Sequence, residues 1–240
     1  MVLPSAGSTN DEARALAAAG APDGTVVLAT QQLAGRGRLG RVWHSPAGLG
    51  LYVSVLLRPE EPPDRIGRYA LASAVATCRA CREQVGEQVR LKWPNDVTVG
   101  GRKLAGILAE VRGGAAGIEL VVGIGVNVAH AADDFPGELR DRATSLRLAG
   151  AGSPIDGAAF AAALLRSFGD EVAALRRGAW GDVASRFVAY APGADGTEVR
   201  LAGGPIGTTR GLDATGALRV ETPRGIVLVH AGESVTPTGD

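Results

Sequence analysis

Lys92-Trp93-Pro94-Asn95-Asp96-Val97-Thr98-Val99-Gly100-Gly101-Arg102-Lys103-Leu104-Ala105-Gly106-Ile107-Leu108 holds both lysines of a 240-residue chain whose other 23 basic residues, of 25, are arginine. Such lysines are either chance survivors on a solvated surface or are kept where a compact, mobile ammonium is needed in place of a wide planar fork, and their surroundings must decide. The same stretch sets the architecture. Val89 to Trp93, Val97 to Val99, Leu104 to Val111 and Ile118 to Val128 read as strands, and the pairs Gly100-Gly101 and Gly113-Gly114 read as the turns between them. Strands this close, joined by paired glycines, are hairpins of an antiparallel or mixed sheet.

Working outward, Pro62-Pro63-Asp64 precedes a helical pattern from about Arg65 to Val85, with Ile66, Tyr69, Leu71, Val75 and Cys78 on its apolar side. Upstream, Ser8-Thr9-Asn10 followed by Asp11-Glu12 reads as an N-cap and acidic first turn leading into Ala13 to Ala19. Strands at Thr25 to Thr30 and Leu51 to Leu57 flank a glycine- and arginine-rich loop, Gln31 to Gly50, too long to be a mere connection. Downstream, Asp156 to Arg177 and Trp180 to Tyr190 read as helices. After Ala191-Pro192-Gly193 the pattern changes to short strands: Glu198 to Leu201, Ile206 to Leu212, Ala217 to Glu221 and Ile226 to His230. Short strands of this kind suit a small β-barrel. The expected fold is therefore α+β, a largely antiparallel mixed sheet covered by helices over residues 1–192, with a small SH3-like barrel over 193–240.

Composition narrows the function. Acidic and basic residues balance at 25 each, so no broad nucleic-acid or anionic-membrane surface is expected, and any positive site must be local. Cys78 and Cys81 lack a second Cys/His pair in sequence to complete a zinc site and read as reduced thiols on one helix. With no signal-peptide pattern and no long apolar run, the chain is expected to be cytoplasmic, with no membrane partner.

Three local patterns point to chemistry. Gly35-Arg36-Gly37-Arg38-Leu39-Gly40-Arg41 alternates glycine with arginine, so backbone amides and several guanidiniums can converge on phosphate or carboxylate. It is neither a P-loop nor a dinucleotide fingerprint, because loop and strand follow it rather than a helix. Trp93-Pro94-Asn95-Asp96 ends a strand in a turn, where the carboxylate could hold a metal or a hydroxyl, or simply close the hairpin. Gly106 and the run Gly123-Ile124-Gly125-Val126-Asn127 place glycines inside strands beside Lys103, as close approach of a flat ligand or a β-bulge would require.

Ser8-Thr9-Asn10, Gln32 ahead of Gly-Arg-Gly-Arg, Trp43 with Ser45-Pro46, Lys-Trp-Pro-Asn-Asp, Arg-Lys-Leu-Ala-Gly-Ile-Leu and Gly-Ile-Gly-Val-Asn occur in order along the whole chain. In that order and spacing they resemble the biotin protein ligases, or biotin–[acetyl-CoA-carboxylase] ligases. The resemblance is to the monofunctional class, which lacks an N-terminal DNA-binding domain and does not repress transcription. It implies activation of biotin with MgATP to biotinyl-5′-AMP, followed by transfer of the biotinyl group to a lysine of a biotin carboxyl carrier domain. It also implies roles. Lys103, Arg36 and Arg38 would be catalytic, with Lys103 between biotin's carboxylate and the α-phosphate. Biotin would lie against Ser8, Thr9, Asn10, Gln32, Gly35, Arg36, Gly37, Arg38, Lys103, Gly106, Gly123 and Gly125. ATP would meet Arg36, Arg38, Arg41, Trp43, Asn95, Lys103 and Asn127, and Asp96 would help hold Mg2+. The oligomeric expectation is a monomer or weak homodimer. The chain departs from the family pattern at His44, where an aromatic is common. A lipoate or octanoyl transfer enzyme, which shares the core fold, and a nucleic-acid-binding arginine loop are the alternatives.

Overall fold

The structure is a computed structural model that describes residues 1–114, 117–152, 154–231, 233 and 235–238. In chain order its elements are β1 (Val2–Leu3), α1 (Thr9–Ala18), β2 (Val26–Ala29), β3 (Gly50–Leu57), α2 (Gly67–Val85), β4 (Val89–Lys92), β5 (Asp96–Val99), β6 (Arg102–Gly114) and β7 (Gly117–Asn127). They continue with α3 (Gly157–Arg176), α4 (Trp180–Tyr190), β8 (Asp195–Leu201), β9 (Ile206–Leu212), β10 (Leu218–Thr222), β11 (Gly225–Val229) and β12 (Val235–Pro237). The first seven strands form one mixed sheet in the order β1-β2-β3-β7-β6-β5-β4, with β1 and β2 parallel and the other pairs antiparallel. The last five form an antiparallel sheet, β11-β10-β9-β8-β12. The fold is thus the α+β arrangement expected, with a second, smaller β unit at the C-terminus.

Alternation along β3 and β7 divides the large sheet into two faces. Leu51, Val53, Val55 and Leu57 of β3 and Leu120, Val122, Ile124 and Val126 of β7 join the main core, packed with Leu71 and Val75 of α2 and Phe160 and Leu164 of α3. Burial of such side chains stabilises by about 1.5–3 kcal/mol each. The helical layer is tied by Glu171, 1 % exposed, whose carboxylate lies 3.1 Å from Arg79 of α2 and 2.7 Å from Arg186 of α4. On the opposite face α1 lays Ala13 and Ala17 on Val27, Leu56 and Val121, a much smaller cluster. Cys78 and Cys81 are buried free thiols within α2, and burial pushes the Cys78 thiol up to about 11, so neither is a ready nucleophile.

Three expectations need correction. Gly113 and Gly114 are not a turn: they pair with Ile118 and Gly117, because glycine accommodates extended backbone as readily as a turn, and the connection at 115–116 lies outside the described residues. Ser8 occupies the N-cap position of α1 but makes no side-chain capping bond; its carbonyl alone accepts from Asp11 and Glu12. The edge strands β1 and β12, two and three residues long, carry no readable periodicity and were not anticipated.

Candidate active site

A cavity of about 1210 Å³ opens on the α1 face of the large sheet, over the C-terminal half of β7 and the first half of β6. Its floor follows from register. Ser54 of β3 pairs with Gly123, which pairs with Leu108; one row along, Tyr52 pairs with Gly125, Gly125 with Gly106, and Gly106 with Asp96. Two neighbouring strands therefore present glycine where a side chain would otherwise stand up from the sheet. That space is used closely. A Cβ on Gly125 would stand 2.5 Å from Trp43 Nε1, and one on Gly106 would stand 3.0 Å from Lys103 Cε and 3.2 Å from the Trp43 ring. One on Gly123 would fall 2.3 Å from Asn10 Oδ1, and one on Gly35 would meet Ser45 Oγ and the Trp43 carbonyl at 2.6 Å.

At the inner end, residues brought from positions far apart form one polar network. Gln32 Oε1 accepts from the Thr9 amide at 2.9 Å and from Thr9 Oγ1 at 3.1 Å, while Gln32 Nε2 donates to Ser45 Oγ at 3.2 Å. Ser54 Oγ, fully buried, donates to Asn10 Oδ1 at 2.6 Å and lies 2.7 Å from Thr9 Oγ1, and Asn10 Nδ2 donates to Glu110 at 2.6 Å. Ser8, Thr9 and Asn10 are buried because α1 begins here, with its first turn against β3 and β7. Ser54 and Glu110 were not picked out from sequence, although Ser54 interrupts the apolar run from Val53 to Leu57.

Lys103 lines the same cavity, beside Gly106. Its Nζ is 2.5 Å from Asp96 Oδ1 and 5.3 Å from the centre of the Trp43 ring, so the ammonium sits between a carboxylate and a π face. Asn127, buried below it, donates to the Thr144 carbonyl at 2.9 Å and to the Lys103 carbonyl at 3.4 Å, so its amide anchors the backbone that carries the lysine. Asn95 donates to the Ile107 carbonyl at 2.8 Å and accepts from Arg38 at 2.8 Å.

The arginine loop divides between two tasks. Arg38 reaches across to Asn95, and Leu39, in the left-handed region at φ 57°, makes the tight turn that lets it do so. Arg36 instead grips Asp11 of α1 through two hydrogen bonds of 2.6 and 2.7 Å and lies 3.8 Å from Glu110. That guanidinium holds Asp11 down at about 2, below the usual carboxylate range. The pair is largely solvated, so parting it costs little. Arg41 and Gly37 line the cavity mouth. At the far rim His130, 0 % exposed, stacks on Phe135 at 4.7 Å, and His44 Nε2 lies 3.1 Å from the Asp134 carbonyl oxygen. Burial lowers His130 to about 4, so it is neutral at ordinary pH.

All seventeen side chains and glycines expected from sequence except Gly35 line this one cavity, and Gly35 packs directly under Trp43 and Ser45 at its wall. Among the described residues no three His, Cys, Asp or Glu side chains cluster as a ready metal site, and no helix is long and apolar enough to cross a membrane.

Residues 3–127 match the model of the biotin/lipoate A/B protein ligase family. The chain is 38% identical over 230 residues to the bifunctional ligase/repressor BirA of Bacillus subtilis, covering 94% of this chain and 70% of that protein. It is 35% identical over 249 residues to the biotin–[acetyl-CoA-carboxylase] ligase of Mycobacterium tuberculosis, covering 98% and 87%. Among solved structures, it superposes on the biotin protein ligase of Aquifex aeolicus in complex with biotin and ATP with a TM-score of 0.83 and 29% identity, over 99% of this chain and 98% of that one.

Proposed function

The chain belongs to the biotin/lipoate A/B protein ligase family, and from that premise we propose that it is a biotin protein ligase, activating biotin with MgATP and passing the biotinyl group to a lysine of a carboxylase carrier domain. The observation that carries this reading is the polar inner end of the cavity opening onto a glycine floor with Lys103 at its edge. A ureido ring brings two N–H donors and a carbonyl, which a buried set of Thr9, Asn10, Gln32 and Ser54 can satisfy. The dithiolane ring of lipoate or the alkyl chain of octanoate brings no such donors or carbonyl, and would forgo roughly 0.5–1.5 kcal/mol for each hydrogen bond not made.

In the first step a biotin carboxylate oxygen bonds to the α-phosphorus of ATP, the α–β bridge bond breaks, and pyrophosphate leaves. Two anions must meet, and the Lys103 ammonium supplies mobile donors to both. Arg38 would take a phosphate or carboxylate oxygen in place of Asn95, and Arg36 would give up the solvated Asp11 to do the same. With Gly37 between them, the loop would then close over the adenylate and shield it from water. Trp43, Asn127 and Arg41 would flank the adenosine and its phosphates. Magnesium enters as part of the MgATP substrate, needing only one or two protein oxygens beside the phosphates. Asp96, with one oxygen on Lys103, would offer it the other. In the second step the carrier's neutral lysine amine attacks the carbonyl, AMP leaves with the bonding electrons, and the amide forms with loss of a proton.

The test is exchange of labelled pyrophosphate into ATP. It should depend on biotin and not occur with lipoate or octanoate. No biotin-dependent exchange, or equal exchange with lipoate, would overturn the reading.

A further inference from the structure

Residues 131–141 follow the end of β7 and lead back to Lys103, whose amide donates to the Arg142 carbonyl at 2.8 Å. Phe135, Leu139 and Asp141 of this excursion line the cavity. Its polar contacts are almost all its own. Asp134 Oδ2 accepts from the Ala131 amide at 2.7 Å, Arg140 Nε donates to the Phe135 carbonyl at 3.4 Å, and the Arg140 guanidinium lies 3.7 Å from Asp133. Among the described residues, every hydrogen bond or ion pair made by residues 131–141 stays within residues 131–143 save one, the 3.1 Å contact of His44 Nε2 with the Asp134 carbonyl oxygen. A carbonyl only accepts, so Nε2 carries the proton and donates. Packing accompanies this bond: Phe135 stacks on His130, whose ring centre is 6.2 Å from that of His44.

We infer that His44 is a positioning residue for ATP, its imidazole tethering residues 131–141 to the end of the arginine loop and so holding the nucleotide end of the cavity in shape; the inference rests on the ligase reading above. His44 directly follows Trp43, whose ring lies over Gly106 and Gly125. Trp43 and Phe135 both line the cavity, and the imidazole–carbonyl bond fixes the segment of one against the segment of the other. A wall already in place need not be ordered when the nucleotide arrives, and that lowers the cost of binding. The polar inner end formed by Thr9, Gln32 and Ser54 shares no hydrogen bond with residues 131–141, so the site assigned to the ureido ring is independent of the tether. The residue type matters too. Position 44 commonly carries an aromatic in the biotin protein ligases, and phenylalanine there would pack but offer Asp134 no N–H.

Pyrophosphate exchange by the full chain gives KM for ATP and kcat separately, and calorimetric titration gives the affinity for biotin alone. His44→Phe keeps a ring and removes the donor. It should raise the KM for ATP about fivefold, as loss of one hydrogen bond would, and leave kcat within about twofold. Biotin affinity and melting temperature should not move. His44→Gln, whose Nε2–H can reach the same carbonyl, should recover most of the loss. Hydrogen exchange at the amides of Asp134 and Phe135 should be faster in His44→Phe than in the unaltered chain or His44→Gln. An unchanged KM for ATP in His44→Phe overturns the inference. So does an equal loss of biotin affinity, which would make the histidine a general part of the fold, and so does failure of His44→Gln to rescue, which would assign the effect to ring shape. Absence of biotin-dependent exchange in the unaltered enzyme removes the ligase reading and this role with it, whereas an unmoved KM in an enzyme that exchanges removes this inference alone.

Discussion

The two faces of the large sheet are built from the same strands and obey opposite rules. In β3, Leu51, Val53, Val55 and Leu57 are packed beneath the helices, while the intervening Tyr52 and Ser54 lie on the α1 face, Ser54 against Thr9 and Asn10. In β7, Leu120, Val122, Ile124 and Val126 alternate with Val121, Gly123, Gly125 and Asn127. Apolar volume dominates one face; the other gives up side chains and buries hydrogen-bonding groups. Because side chains alternate with a period of two, each strand serves stability and chemistry with neighbouring residues, and a substitution should disturb one without the other.

That separation can be broken in three places. On the cavity face, Lys103→Arg keeps the charge but replaces a compact head by a wide fork where Gly106 and Trp43 leave little room. Adenylate formation should fall about 100-fold or more, on the order of 3 kcal/mol, with the melting temperature unchanged. Near-normal adenylation would remove Lys103 from the chemistry, and a fallen melting temperature would show that the faces are not independent. On the helical side, Glu171→Ala leaves Arg79 and Arg186 without their shared carboxylate and should cost about 3 kcal/mol of folding stability, read by urea titration, with pyrophosphate exchange per folded molecule unchanged. Loss of exchange in the folded variant would show that the helical layer positions the site.

His130 crosses the division, since it is a buried titratable group stacked on Phe135, which lines the cavity. Its folded value of about 4 lies below the unfolded 6.5. Above pH 6.5 neither state binds the proton and stability is at its full value. As pH falls from 6.5 towards 4 the unfolded chain takes up a proton that the folded one refuses, so stability declines, by about 3 kcal/mol in all. Below about 4 the loss from this group levels off. Denaturant titrations across that range should show the slope, and His130→Gln should reduce it; an unchanged slope would assign the acid sensitivity to other groups.

Much of this could be read from the chain. The helical spacing of Tyr69, Leu71 and Val75 and the glycine pair at Gly100–Gly101 marked α2 and the β5–β6 hairpin, since burial and turn chemistry act locally. Residues of the arginine loop, the Lys103 region and the Gly-Ile-Gly-Val-Asn run were legible as candidates, and Arg36, Gly37, Arg38, Arg41, Lys103, Gly106, Gly123, Gly125 and Asn127 of them line one cavity. Their partners were not. The pairing of Arg36 with Asp11 and Asn10 with Glu110 depends on how distant segments cross, and no local pattern encodes it. Ser54 left one trace, a hydroxyl in an apolar strand, but its three-way contact with Thr9 and Asn10 becomes visible only when α1 lies over β3. The short edge strands leave no trace, because two or three residues do not make a period.

The row from Tyr52 through Gly125 and Gly106 to Asp96 has a kinetic consequence. Gly106 and Gly125 meet within one hairpin, but Tyr52 and Ser54 arrive only when β3 pairs with β7, a contact joining residue 57 to residue 120. Closing so long a loop is paid for in chain entropy before any contact rewards it, so this pairing belongs to the slow part of folding. A chain that has formed only its β5–β7 meander already carries Lys103 and its glycines, yet has no closed inner end. Ligand binding by this molecule therefore reports that its most distant strands have found each other.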